Sequence, residues 1–407
     1  MLNTANEREL AYVVTVDDIT PIEGYDRVEL AHVMGWTVVV GKGEFRKGGP
    51  AIYFEIDSKL PEIEPFVNME FLAKKKYKIK TQRMCKSISQ GLLMSAENFG
   101  WRIDNFPDIR IIDDKNIPHR VNDESRFLTK QLGVTYNEPG DNARKAASAD
   151  KYKKMAQRNG KLFSKQPFRW LMKREWGRKL LFVFFGKKKD KKTGWPEYIK
   201  KTDEERIENL PYLFNDKSEW IATEKIDGTS TTFSIKRGHG FKKNEFFICS
   251  RNVVFDKPDK KCFYETNVYT EMCDKYNMEQ ILTEMLEKYP KAEWITIQGE
   301  TFGAGIQKRD YHMKDHDFRA FNLIMSNTGR WNSEAMKEEL DQYNIPSVPI
   351  ICTHYILPNT LEELRTFVNS APSAIDNDIR EGIVFRSLDG TRSFKCVSPE
   401  FLIKFHQ

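Results

Sequence analysis

A lysine at the end of an apolar run, with a carboxylate two residues on and a glycine next, has the parts of a covalent catalyst. The stretch Thr223-Glu224-Lys225-Ile226-Asp227-Gly228-Thr229 supplies them. Trp220-Ile221-Ala222 reads as a buried strand end, residues 229–235 read as the next strand, and Gly228 permits the turn between them. Lys225 can attack phosphorus only as the free amine, yet at its ordinary pKa roughly one lysine in a thousand or fewer is neutral at pH 7. Its surroundings must lower that pKa, through burial, a neighbouring cation or a bound metal. Asp227 suits such a metal, held through water. The same residues also describe a surface turn, so the reading depends on what the rest of the chain places beside them.

A chain of 407 residues is long enough for two or three domains with their own cores. Hydrophobic residues make up 40% and charged residues 30% of it, and no apolar run approaches the roughly 20 residues that span a bilayer. The start, Met1-Leu2-Asn3-Thr4-Ala5-Asn6-Glu7, lacks the basic and apolar segments of an export signal. Six cysteines are scattered without a Cys-x-x-Cys pair, which predicts reduced thiols and a cytoplasmic protein, in the host cell cytoplasm if viral. The net charge of +6 is unevenly spread, because residues 144–201 hold 20 Lys and Arg against four acids. Phe163, Phe168, Trp170, Trp176 and Trp195 are interspersed there, as a nucleic-acid groove requires, with Lys173, Arg174, Arg178 and Lys179 as candidate nucleic-acid contacts. A solvated face or a linker is the plainer alternative.

The elements needed to position Lys225 are legible around it. Short apolar, β-branched runs at 10–16, 27–32, 36–40, 51–56 and 88–94, punctuated by glycines, predict a small all-β domain, most simply a barrel. Residues 74–80 alternate charge with apolar residues, and a strand there would present Lys78 and Lys80 on one face, either to nucleic acid or as a solvated edge. Short helices are expected at 127–132, 146–158 and 203–208, the last capped by Thr202, with a longer one at 271–289 and another at 361–369. Strands are expected at 294–300 and 318–325, and a hairpin at 383–386 and 392–397 around Asp389-Gly390. This mixture predicts an α+β domain with a largely antiparallel sheet. The domain boundaries fall at 1–140, 141–200 (a basic linker or helical elaboration) and 201–407.

The order of the remaining short motifs resembles the covalent nucleotidyltransferase superfamily of polynucleotide ligases and capping enzymes. Lys225-Ile226-Asp227-Gly228 matches its nucleotidyl-lysine motif. Ser250-Arg251-Asn252, Gly299-Glu300-Thr301-Phe302-Gly303, Phe318-Arg319-Ala320-Phe321-Asn322, Glu381-Gly382-Ile383-Val384-Phe385 and Ser393-Phe394-Lys395 follow in the superfamily's sequence. The flanks, including Pro21 to Glu29, Gly41 to Phe45, Glu55 to Pro61 and Lys201 to Arg206, are similar to ATP-dependent RNA ligases with an N-terminal OB domain. Many relatives carry a second lysine two residues after the closing one. Here that position is Val397, with Lys404 as a possible substitute.

The resemblance implies an OB-like barrel followed by an ATP-grasp-like nucleotidyltransferase (adenylation) domain, and a reaction in three displacements. The Lys225 amine attacks the α-phosphorus of ATP, AMP passes to an RNA 5'-phosphate, and a 3'-hydroxyl attacks that activated end. Lys395 would neutralise the α-phosphate and lower the Lys225 pKa. Asp227, Glu300 and Glu381 would serve Mg²⁺ or Mn²⁺ through water, with Glu300 also suited to a ribose hydroxyl. Phe321 would stack on adenine, unless it is an ordinary core aromatic; Arg251 would reach ribose or RNA phosphate, and Glu224 the adenine amino group. The implied protein is a monomer acting on RNA with 5'-phosphate and 3'-hydroxyl ends, with no membrane involved. Two alternatives stand beside it. A DNA ligase or GTP-using capping enzyme would carry its OB domain after the closing lysine, where only twelve residues remain. An RNA-binding protein with a degenerate transferase domain would not need all five of Lys225, Asp227, Glu300, Glu381 and Lys395.

Overall fold

In a computed structural model, described here for residues 1–3, 7–100, 126–136, 155, 160–185, 195–200, 203–251, 253–255 and 267–406, the first domain is built from short antiparallel strands. Ala11–Thr15, Pro50–Phe54 and Leu92–Met94 form one sheet; Asp18–Ile22, Tyr25–Val33 and Trp36–Gly41 form a meander. Trp36–Gly41 alternates buried with half-buried residues, the period of a strand with one face on a core. The expected run at 88–94 is split into Ser87–Gln90 and Leu92–Met94 at Gly91, where the backbone has φ 113° and a Cβ would collide with the Tyr53 ring. Asp18–Ile22 escaped the pattern because it contains Pro21, which an edge strand tolerates.

Several expected elements differ. Residues 74–80 are not a strand: Glu70–Lys74 is a helix, and Lys76 and Tyr77 turn through positive φ. Residues 127–132 form turns rather than a helix, tied down where the Thr129 hydroxyl accepts from the backbone N–H groups of Leu10 and Ala11. In place of the helix at 203–208, Glu205–Arg206 is a strand and Ile207–Asn209 a single 3-10 turn. Arg206 through Asn209 are buried on all sides, so no amphipathic face remains for a helix. The helix at 271–289 is two helices, Val268–Lys275 and Met278–Lys288, broken at Asn277 with φ 50°. The helix expected at 146–158 and its Thr202-capped neighbour's cap lie outside the described residues, apart from Met155.

The C-terminal domain carries two sheets that meet at Lys225. One has the order Glu205–Arg206, Ser393–Val397, Gly382–Ser387, Glu219–Lys225, Ile350–Ile356 and is antiparallel except at its first pair. The other centres on Thr229–Lys236, Trp294–Gly303 and His316–Met325, with the two helices packed against it around Met272, Leu282 and Met285. Between the domains, Gln166–Met172 and Glu175–Phe185 are helices with a small core of their own, Met155, Phe163, Met172 and Leu181. The two larger domains are fused: Val397 and the closing helix residues Phe401 and Leu402 belong to the hydrophobic core of the N-terminal domain.

Candidate active site

Pairing between Glu219–Lys225 and Gly382–Ser387 places Lys225 opposite Gly382, and therefore beside Glu381. Its Nζ lies 2.7 Å and 2.8 Å from the two Glu381 carboxylate oxygens. Gly228 is required by close approach: a Cβ there would run into the Thr301 carbonyl oxygen and the Glu300 side chain. The glycine thus lets the lysine loop lie directly on the strand bearing Glu300. Asp227 is fixed from two sides, its N–H donating to the Tyr311 hydroxyl at 2.6 Å and its carboxylate meeting His406 Nε2 at 3.2 Å.

These groups line a cavity of about 210 Å³ together with Glu224, Arg251, Glu300, Phe321 and Lys395. Lys395 Nζ pairs with Asp203 at 2.9 Å, and Arg251 pairs with the same carboxylate at 2.7 Å. Arg8, from the N-terminal domain, reaches it at 3.5 Å. Glu224 is buried, and its carboxylate accepts from the Ala374 N–H at 2.9 Å. Phe321 is half-buried and packs beside the cluster of Ile226, Phe302, Tyr311 and Val348, with the Arg386 guanidinium 5.9 Å from its ring centre. It is both a packing residue and an aromatic wall of the cavity.

The electrostatics differ from the expectation in one respect. Burial favours the neutral amine of Lys225, but Glu381, Glu300 and Asp227 outweigh it and raise the Lys225 pKa above the usual lysine value. Lys395 is the lysine whose pKa falls, to about 8, through burial and despite Asp203. Burial pushes Glu300 up to about 8, assisted by Glu381 and Asp227 and opposed by Lys225. Asp203 is held far below the usual carboxylate range, because Lys395, Arg8 and Arg251 together overcome the cost of burying it. Three carboxyl groups, Asp227, Glu300 and Glu381, therefore crowd the Lys225 amine. Among the described residues, no three His, Cys, Asp or Glu side chains converge as a direct ligand set for a metal ion.

Lys404 pairs with Asp378 at 2.8 Å, half-exposed, and is not among the residues lining the cavity, whereas Val397 lines it and packs into the N-terminal core. Lys173, Arg174, Arg178 and Lys179 sit on the helical segment and are likewise away from the cavity, as is Lys78. Lys80 feels Lys308, Lys78 and the cavity residue Asp57, which places it near the rim. Sequence reasoning missed Arg8, Asp57, Asp203, Arg206 and His406. Asp57, Asp203 and Arg206 stand in flanks that the resemblance already marks, whereas Arg8 reaches the cavity from another domain and carries no local signal. Arg206 is buried, pairs with Asp57 at 3.1 Å, and keeps Nε and Nη1 without an acceptor.

Two family models match the chain: RNA ligase over residues 218–405 and an OB-fold domain over residues 10–96. The chain carries an RNA ligase domain behind an OB-fold domain. No curated protein matches it. Among solved structures it is similar to a Naegleria gruberi RNA ligase variant with ATP and Mn, at 25% identity and TM-score 0.69, covering 98% of this chain and 100% of the other. It is also similar to a variant of that ligase with AMP and Mn, at 25% identity and TM-score 0.67, covering 98% and 99%. The same ligase with PPi gives 24% identity and TM-score 0.67, covering 97% and 98%. The ligase domain's matched span begins just before the strand that ends in Lys225 and ends within the helix that carries Lys404. No helix among the described residues is long and apolar enough to cross a membrane.

Proposed function

We propose that this protein is an ATP-dependent RNA ligase that joins a 3'-hydroxyl to a 5'-phosphate through a lysyl-AMP and an adenylylated RNA. The observation that carries the reading is Lys225, hydrogen-bonded to Glu381 inside a cavity that also holds Asp227, Glu300, Lys395 and the ring of Phe321. Lys395 supplies positive charge for the α-phosphate, and the Arg206 guanidinium in the cavity wall adds to it. Phe321 stacks on adenine and Glu224 lies where the adenine edge would be read. Glu381, already hydrogen-bonded to the Lys225 ammonium, is placed to take the proton that must leave before attack. Asp227, Glu300 and Glu381 would hold Mg²⁺ or Mn²⁺ through water, and the cation would weaken the carboxylates' hold on that proton and shield phosphate charge. The crowding of three carboxyl groups around Lys225 fits such a cation.

Arg251, now held by Asp203, turns to ribose or RNA phosphate when nucleotide or RNA competes for it. RNA is gripped on the N-terminal domain by Lys78 and Lys80 and on the helical segment by Lys173, Arg174, Arg178 and Lys179. The cavity is complete within one chain, which suits a monomer, and scattered cysteines without a Cys-x-x-Cys pair suit the cytoplasm. Incubation with ATP, a divalent cation and RNA bearing both ends should yield sealed product and free AMP. Sealing that needs GTP, or that occurs on DNA ends only, would overturn the assignment.

A further inference from the structure

The helical segment 160–185 buries its apolar side in its own small core, against which Leu162, Phe168, Leu171, Phe182 and Phe185 pack; Trp170 and Trp176 take no part in it. Both indoles are instead half-exposed, at 50% and 53%. Their rings meet edge to face, 6.0 Å apart at 80°, and the Arg174 guanidinium lies 4.0 Å over the Trp170 ring. Gly177 makes this corner possible, because a Cβ there would strike the Leu171 carbonyl and push the second helix away from the first. Residues 160–185 contain seven Lys and Arg against one acid, and Lys165, Arg169, Lys173, Arg174 and Lys179 are exposed. Two large aromatics outside the core formed by the described residues, on a strongly basic segment, answer the two needs of an unpaired polynucleotide: a π-face for the base and cations for its phosphates.

We propose that Trp170, Arg174 and Trp176 form a stacking site for unpaired nucleotides of the RNA substrate, outside the catalytic cavity. The site rests on the RNA-ligase reading and narrows it: the protein holds single-stranded RNA flanking the ends to be joined. Paired bases have no free face to offer the corner, so a fully duplex substrate gains nothing from it.

The full-length protein, titrated with oligouridylate while its tryptophan fluorescence is followed, tests this. Binding should quench the signal, and Trp170→Ala or Trp176→Ala should weaken it by about five- to 150-fold, the range for loss of one stacked base. Trp170→Phe and Trp176→Phe, which keep a ring and the fold, should retain most of the affinity. Lys173→Ser should lower the slope of log affinity against log salt by about 0.7. Blunt duplex RNA should bind equally to the wild type and the Trp variants. Unchanged oligouridylate affinity in both Ala variants, or an equal effect on duplex RNA, would overturn the stacking site, as would a corner that binds protein and not RNA. Self-labelling with ATP, measured on the same samples, reads the ligase assignment separately, so the two ideas can fail independently.

Discussion

At the scale of single residues, the cavity separates into groups that manage charge and a ring that manages shape. Phe321→Ala should weaken ATP binding by about 1–3 kcal/mol, the worth of one stacked base, with little change in the divalent-cation requirement. Asp227→Ala and Glu381→Ala should instead depress every cation-dependent step. Cation titrations at saturating ATP distinguish the two, and the same defect in all three variants would remove the division of roles. Lys395 carries a pH dependence of its own. Its pKa is lowered to about 8, so its charge is present below that pH and is lost as pH rises through it. ATP affinity should fall above pH 8 by up to about tenfold per pH unit, and Lys395→Arg should abolish this slope because guanidinium stays charged. A flat wild-type profile from pH 7 to 9.5 would mean that Lys395 does not face phosphate.

The elements act by close approach. Gly228 lets the lysine loop touch the Trp294–Gly303 strand, so Gly228→Ala should displace Lys225 from Glu300 and Glu381 and cut lysyl-AMP formation at least tenfold. The overpacking should cost about 1–3 kcal/mol, which leaves the fold intact by thermal melting; wild-type labelling in this variant would contradict the packing account. Such local demands are what a sequence displays well. Lys225, Asp227 and Gly228 were legible because strand, turn and strand are contiguous, and the hairpin at Asp389-Gly390 and the helix Leu361–Asn369, with its Thr360 and Glu363 capping box, follow local rules. Where partners are distant the pattern misled. Residues 203–208 looked helical until Asp203 and Arg206 were claimed by Lys395 and Asp57 and the chain was pulled into a sheet edge. Lys225 looked like the lysine of lowered pKa because Lys395 was visible as a neighbour, whereas the combined pull of three carboxylates depends on their separations.

For the whole molecule, the motif order suggests that the chain from about residue 200 would charge itself alone, and the fold argues otherwise. Val397, Phe401 and Leu402 are buried in the N-terminal domain's core, and Arg8 shares Asp203 with Lys395. Deleting the N-terminal domain exposes those side chains, at about 1.5–3 kcal/mol for each large one, and removes a counter-charge from the active site. A protein starting at residue 203 should therefore melt well below the full chain or aggregate, and label slowly with ATP; wild-type labelling by it would show the domains to be energetically independent. The central claim is the covalent role of Lys225. Full-length protein incubated with ATP labelled at the α-phosphate and a divalent cation should acquire a label that acid removes and base does not, as a lysine phosphoramidate requires. Lys225→Ala should acquire none while melting as the wild type does, and a folded Lys225→Ala protein that still takes up the label would contradict the account.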